Sequence, residues 1–243
     1  LEVDLGYLLI MSSAVGVGAV VRRWVGPTLP LPSLSRLAIV LGAIIGGALG
    51  AKIPWLFMDP EGMVDGTAWL SDGRTITFGL VGGYFGVEVA KLAAGVKTKT
   101  GDSFAVPLAA SIAVGRLGCF WAGCCFGIET ALPWAVDFGD GVSRHPTQLY
   151  EAAFHAAAAL ILYELGRRRL FERQRIKLYF IAYFAYRFVT EWIRPEPELG
   201  LGLTLYQWSS LAFIVLFVAL FRLDRGVASE PAATSSVSAG ASR

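Results

Sequence analysis

The sequence predicts an all-α, polytopic membrane protein with seven transmembrane helices. Three observations carry this. Of 243 residues, 55% are hydrophobic and only 16% are charged, against about 25% charge in an ordinary soluble domain, and the mean hydropathy is +0.56. The charges fall between long apolar stretches, of which seven approach the roughly 20 residues that cross a bilayer. Basic residues concentrate in alternate loops, as the positive-inside rule requires. A soluble enzyme, a coiled coil and a disordered chain are thereby excluded. The net charge of +2 is too small to imply nucleic acid as a partner.

The spans are expected at 5–21, 37–57, 75–95, 104–124, 148–166, 177–193 and 203–222. The chain opens on Leu1, and its first apolar stretch has neither a basic leader nor a small-residue cleavage site, so it reads as a true span and not a signal peptide. Arg22, Arg23 and Arg36 separate spans one and two. The second span carries Gly42, Gly46, Gly47 and Gly50, and the third Gly79, Gly82, Gly83 and Gly86. Such faces serve close helix packing or leave room for an acyl chain, and pattern alone does not separate the two uses. Between them, 58–74 sets Trp69 and Leu70 among Asp and Gly, which fits a helix lying at the interface.

Lys91, Lys97 and Lys99 follow span three, six basic residues from Arg167 to Lys177 separate spans five and six, and Arg222 and Arg225 close span seven. The remaining loops hold Glu2, Asp4, Asp59, Glu61, Asp65, Asp72, Glu129, Asp137, Asp140, Glu196 and Glu198. The Lys/Arg bias therefore puts the N-terminus outside and the C-terminus in the cytoplasm. Residues 1–226 read as one transmembrane domain. Residues 227–243, rich in Ala and Ser, read as a disordered cytoplasmic tail.

Ionisable residues inside a membrane are costly and mark function by default. Here they are Glu88, Arg116, Glu151, Arg187 and Glu191, with Lys52, Arg144, His145 and Arg194 near the outer ends. Arg187 and Glu191 lie four apart and share a helix face; Gln148 and Glu151, three apart, share another. Arg116 suits either a structural pair with one of these carboxylates or a phosphate site. Several guanidinium groups with too few carboxylates to neutralise them favour phosphate, which arginine grips through two parallel N–H donors. Glu88 is expected to pair with Lys91 one turn on, and His155 to bond a neighbouring helix. His145 stands beside Pro146 at the start of span five, where it serves either proton transfer or simple helix entry.

Gly115-Arg116-Leu117-Gly118, Arg144-His145-Pro146-Thr147-Gln148-Leu149-Tyr150-Glu151 and Tyr186-Arg187-Phe188-Val189-Thr190-Glu191-Trp192-Ile193-Arg194, with Gly82-Gly83-Tyr84-Phe85-Gly86 and Leu203-Thr204-Leu205-Tyr206-Gln207-Trp208, together resemble the prolipoprotein diacylglyceryl transferase family of bacterial inner-membrane enzymes. The resemblance implies a seven-helix fold that takes the diacylglyceryl group from phosphatidylglycerol, or a related phospholipid, to the thiol of a lipobox cysteine in a prolipoprotein, with glycerol phosphate leaving and no cofactor or metal. It implies catalytic roles for Arg116, Glu151, Arg187 and Glu191, with His145 in proton transfer. Gly82, Gly83, Gln148, Tyr150, Arg194 and Gln207 are expected on the substrate side. The sequence departs from that family where Val81 replaces a histidine, Cys119 an asparagine and Cys124 a glutamate. A second reading is a divergent paralogue that uses a non-protein acceptor, or that binds or translocates lipid without catalysis.

Cys119, Cys124 and Cys125 are bunched at the outer end of span four. A disulfide requires the helix to break near Gly123, since an unbroken helix holds Cys119 and Cys124 apart. A nucleophilic role for Cys119 or Cys124 requires a thiolate favoured by Arg116. A metal site ranks last, because the spacing contains no Cys-x-x-Cys and His145 is the one obvious further ligand.

Overall fold

A computed structural model describes residues 5–25, 31–70 and 75–229. Helices α1 (Leu5–Val25) and α2 (Ser33–Lys52) are followed by three short ones, α3 (Trp55–Met58), α4 (Pro60–Asp65) and α5 (Thr67–Leu70). Then come α6 (Ile76–Ala93), α7 (Asp102–Trp121), α8 (Thr147–Arg167), α9 (Arg175–Thr190) and α10 (Leu205–Ser229). Long helices thus occupy all seven expected places. Among the described residues, five helical stretches are long and apolar enough to cross a membrane. The other two are α8, which carries Gln148, Glu151 and His155, and α9, whose 16 residues span only about 24 Å.

Boundaries shift for local reasons. Pro54 follows the end of α2, so the stretch expected to run to 57 stops at Lys52 and resumes as α3. The segment expected to lie at the interface begins as α4, whose N-cap Asp59 accepts a bond from Gly62 N at 3.0 Å, and continues as α5. Glu2, Asp4 and Asp72 lie outside the described residues, as does the expected tail beyond Ser229, up to which α10 continues.

Glycine sets the α2–α6 contact. A methyl group at Gly42 would stand 2.5 Å from the carbonyl oxygen of Gly86, and one at Gly50 2.6 Å from that of Phe78; Gly46 and Gly82 face each other more closely still. With no hydrophobic drive between helices in lipid, such backbone approach and its dispersion contacts hold the pair. On the other side of α6, Tyr84 meets Phe217 edge-on with ring centres 5.1 Å apart, and Phe217 meets Phe180 at 5.0 Å. Tyr179, Phe180, Tyr183 and Phe184 from α9 are all buried in this aromatic layer.

Four of the basic residues expected in the cytoplasm, Lys99, Arg173, Arg175 and Lys177, meet two carboxylates at one end of the bundle. Asp102, at the start of α7, accepts bonds from the backbone of Arg173 and Arg175 and pairs with the Arg175 guanidinium at 2.8 Å. Asp224 joins Lys99, at 2.9 Å, to Lys177. At the other end, β1 (Val136–Asp137) pairs antiparallel with β2 (Ser143–Arg144), and β3 (Glu198–Gly200) with β4 (Leu203–Thr204).

The glycine contact generates a prediction. Gly46→Leu forces a branched side chain against the Gly82 backbone, which has no rotamer with which to yield, and should destabilise the protein by about 3 kcal/mol. Thermal unfolding in detergent checks this, and an unchanged midpoint would mean that α2 and α6 do not depend on the contact.

Candidate active site

The site is built where the C-terminal half of α7, the N-terminal half of α8 and the C-terminal half of α9 meet. Arg116 on α7 and Glu151 on α8 are both buried and pair at 2.7 Å. The Tyr183 hydroxyl donates to the same Glu151 oxygen at 2.6 Å. Behind them, His155 Nδ1 lies 2.7 Å from the Tyr179 hydroxyl, the bond to a neighbouring helix that its mid-span position requires. Tyr183 and Tyr179 were not singled out from the sequence. Tyr183 lies four residues before Arg187, a spacing that puts both on one face of α9.

The second pair follows within one turn of the chain. Arg187 contacts Glu191 at 2.8 Å, across the junction of α9 with a short 3-10 turn, Glu191–Ile193. Thr204 donates its hydroxyl to Glu191 at 3.0 Å, and its backbone N–H donates to Gln207 Oε1 at 3.0 Å. Gln207 is therefore tied to the carboxylate through Thr204. The Arg187 guanidinium also stacks over Tyr206, 5.3 Å from the ring centre, and lies within Coulombic reach of Glu151 and Arg116.

Arg194, just past the 3-10 turn, donates to the Cys125 carbonyl at 3.2 Å and lies 4.0 Å from Glu196. Each of the three arginines thus faces a carboxylate, which corrects the expected shortage of acidic partners. Capacity for an anion comes instead from donors left over. Arg116 Nε and Arg194 Nε are buried and have no hydrogen-bond partner, and a buried unmet donor is costly unless a ligand satisfies it.

The start of α8 closes the site on the side of the chain reversal after α7. Gln148 Nε2 donates to the Cys124 carbonyl at 2.5 Å, and Thr147 Oγ1 to the Cys125 carbonyl at 2.7 Å. His145 is not part of the buried network; its Nδ1 lies 3.2 Å from the Tyr150 hydroxyl, which accepts a bond from Trp134 Nε1 at 2.7 Å. Outside the helices, a hydrogen bond and ion pair with Arg144 hold the Asp140 carboxyl below its usual range. Helix α7 ends at Trp121, and Gly123 and Cys125 take positive φ of 61° and 62°. The break near Gly123 is therefore present, and all three cysteines are free thiols.

An apolar, half-open cavity of about 400 Å³ runs beside α6 and reaches Ile112 on α7, one turn before Arg116. Gly47, Gly79 and Gly83 line it, whereas Gly82 packs against Gly46. Both uses of glycine left open by the pattern are therefore present, and Gly47, Gly79 and Gly83 serve the two together, since each also approaches the facing helix. Glu88, also at the cavity wall, pairs with Lys91 at 2.9 Å.

Sequence comparison turns this geometry into a kinship: the sequence model of the family described as prolipoprotein diacylglyceryl transferase matches residues 5–223. The chain belongs to that family. Proteins named phosphatidylglycerol–prolipoprotein diacylglyceryl transferase from Clostridium tetani, Solidesulfovibrio magneticus and Cupriavidus necator are similar to it. The first is 32% identical over 78% of this chain and 80% of its own length. The second is 34% identical over 73% and 71%, and the third 33% identical over 80% and 77%. Against the family motif described above, Val81 is an aliphatic residue packed at the edge of the aromatic core. Cys119 and Cys124 fall together beside Arg116, whose Nη1 lies 3.8 Å from Cys119 Sγ.

Glu151→Gln keeps the shape of the carboxylate but leaves Arg116 without its counter-charge. Breaking a buried pair in this way costs about 3–5 kcal/mol. A clear fall in the detergent melting temperature is expected, and wild-type stability in the variant would show that Arg116 is neutralised by something else.

Proposed function

We propose that this chain is a multi-pass enzyme of the bacterial inner membrane. It moves the diacylglyceryl group of phosphatidylglycerol to the thiol of a lipobox cysteine in a prolipoprotein. The observation that carries the reading is the buried Arg116 guanidinium, whose Nε–H donor is unmet and which stands one helical turn from Ile112 in the wall of an apolar cavity, with a second unmet donor on Arg194. The cavity takes acyl chains and the guanidinium groups take the phosphate. The family membership supplies the reaction class.

The chemistry is displacement at a glyceryl CH2. The acceptor sulfur forms a bond to that carbon, the carbon–oxygen bond to the phosphate breaks, and glycerol phosphate departs with the bonding pair. Charge grows on the leaving phosphate, so donors fixed in place before the reaction lower the barrier. Arg116 and Arg187 fill this role, with Arg194 at the outer edge. Glu151 and Glu191 hold the first two guanidinium groups in orientation through the pairs at 2.7 and 2.8 Å. Gln148 and Thr147 hold the outer loop over the site through its carbonyls.

All seven long helices cross the membrane in this reading, with the N-terminus outside. The meeting of Asp102 and Asp224 with the basic loops at one end supports the cytoplasmic assignment of that end. Cysteines engineered near Lys97 and Arg168 should react with an impermeant reagent from the cytoplasmic side, and those near Asp65 and Asp140 from outside. Reversal at two of these loops would invert the protein and move the site to the wrong face for an exported acceptor.

The direct test incubates the purified protein with labelled phosphatidylglycerol and a lipobox peptide, following glycerol phosphate release and peptide mass. Both are expected. Release without peptide modification would assign another acceptor, and lipid binding with neither product would make the protein a lipid binder. Arg116→Lys and Arg187→Lys should each lower turnover by at least about tenfold, since an ammonium keeps the charge but loses the planar paired contact. Near-wild-type turnover in both would reduce these arginines to structural partners of their carboxylates.

A further inference from the structure

The displacement above leaves the three thiols at the end of α7 without a task and the acceptor thiol without a base. The sulfur atoms of Cys119, Cys124 and Cys125 all lie within 4.8 Å of one another. Their spacing in sequence conceals this. The two left-handed residues, Gly123 and Cys125, fold the chain back, with Cys124 N donating to the Cys119 carbonyl at 3.1 Å. Hydrogen bonds from Gln148, Thr147 and Arg194 to the carbonyls of Cys124 and Cys125 then fix the loop from α8 and from the chain beyond the 3-10 turn.

We propose that Cys119, Cys124 and Cys125 form a three-thiolate site for a zinc ion whose open fourth position takes the acceptor thiol. The proposal rests on the transferase reading and deepens it. A tetrahedral ion with zinc–sulfur bonds of about 2.3 Å spaces its ligand sulfurs a little under 4 Å apart, a small contraction from the separation in the structure. Three protein ligands with one position left open is the arrangement of catalytic zinc, while structural zinc takes four. Three thiolates and Zn²⁺ carry one net negative charge, and the Arg116 guanidinium, though paired with Glu151, stands 3.8 Å from Cys119 Sγ and can donate to it. Cys124 and Cys125 are exposed, which leaves the open position accessible to a substrate.

The step balances without any change of oxidation state. On coordination the acceptor S–H loses its proton to water, because a zinc-bound thiol is deprotonated outright. The bound sulfur attacks the glyceryl CH2, a carbon–sulfur bond forms, the carbon–oxygen bond to phosphate breaks, and glycerol phosphate leaves with the electron pair. The product thioether, a neutral and weaker ligand, then dissociates. This site supplies the deprotonation for which Val81 offers no group. A covalent route through one of the three cysteines does not serve instead, since a glyceryl group on cysteine sulfur is already a thioether and has no good leaving group for a second transfer. The family resemblance implies a reaction without metal; the thiol trio is where this chain parts from it.

The full-length protein, purified under reducing, oxygen-free conditions and stripped with a chelator, is titrated with Zn²⁺ and, as a spectroscopic substitute, Co²⁺. One equivalent of either ion should remain bound after gel filtration, with sulfur-to-cobalt charge-transfer absorption in the near ultraviolet. C119S, C124S and C125S should each reduce that absorption several-fold, with circular dichroism of the metal-free proteins showing that the helices persist. A lipobox peptide should shift the visible cobalt bands, and the same peptide with Ser in place of Cys should not. Peptide modification should fall at least tenfold in the stripped protein and return with one equivalent of Zn²⁺. Failure to bind one equivalent, a disulfide between any two of the three in protein thiol-blocked within the membrane, or cobalt bands indifferent to the peptide thiol would each overturn the site. Undiminished modification by metal-free protein would overturn it while leaving the transferase reading intact. Metal binding and thiol coordination without glycerol phosphate release would do the reverse.

Discussion

The buried pair between Arg116 and Glu151 is the interaction on which the rest of the structure depends. A lone guanidinium inside the bilayer is expensive, so α7 can carry Arg116 there only if α8 delivers a carboxylate to the same depth. Tyr183 adds its hydroxyl to that carboxylate from α9, and three helices are thereby fixed relative to one another by one oxygen atom. Arg187 and Glu191 repeat the device at the end of α9, with Thr204 and Gln207 carrying it to α10. The first pair spends part of the Arg116 guanidinium on structure and leaves its Nε–H without a partner in the protein, which is how one arginine can serve both stability and binding.

The glycine faces act by the opposite principle, through what they lack. Gly42, Gly46 and Gly50 bring α2 onto α6 at backbone distance, while Gly47, Gly79 and Gly83, at the edge of the same seam, leave the wall of the cavity smooth. Moving these two helices together opens apolar volume on the side facing α7 and α9. The aromatic layer of α9 and α10 keeps that volume from collapsing, because rings meeting edge-on are rigid spacers.

Much of this was legible in the residues. Apolar length and Lys/Arg placement located seven long helices, and the four-residue spacing of Arg187 and Glu191 gave their contact directly. The partnership of Arg116 with Glu151 was one of two candidates, since helix spacing says nothing of which helices are neighbours. The burial of Tyr179 and Tyr183 was hidden for the same reason: an aromatic in an apolar span looks identical whether it faces lipid or a carboxylate. The expected surplus of arginine over carboxylate failed because Glu196 was counted only as a loop acid, whereas it lies 4.0 Å from Arg194. The thiol trio was the least legible feature. It depends on two consecutive reversals of the chain, one of them at Cys125, a residue type that rarely takes positive φ.

The carboxylate of Asp102 has its partners in the linker before α9, and the bond to the Arg173 backbone closes over 71 residues. At about 5–20 residues per second of synthesis, α7 is made several seconds before the groups that will anchor its first turn exist. Over that interval the glycine seam of α2 with α6 and the packing of α1 on α7 can already form, because both lie within the first four long helices. The clasp at Asp102 is thus the last of these contacts to become possible, because its donors are made only after α8.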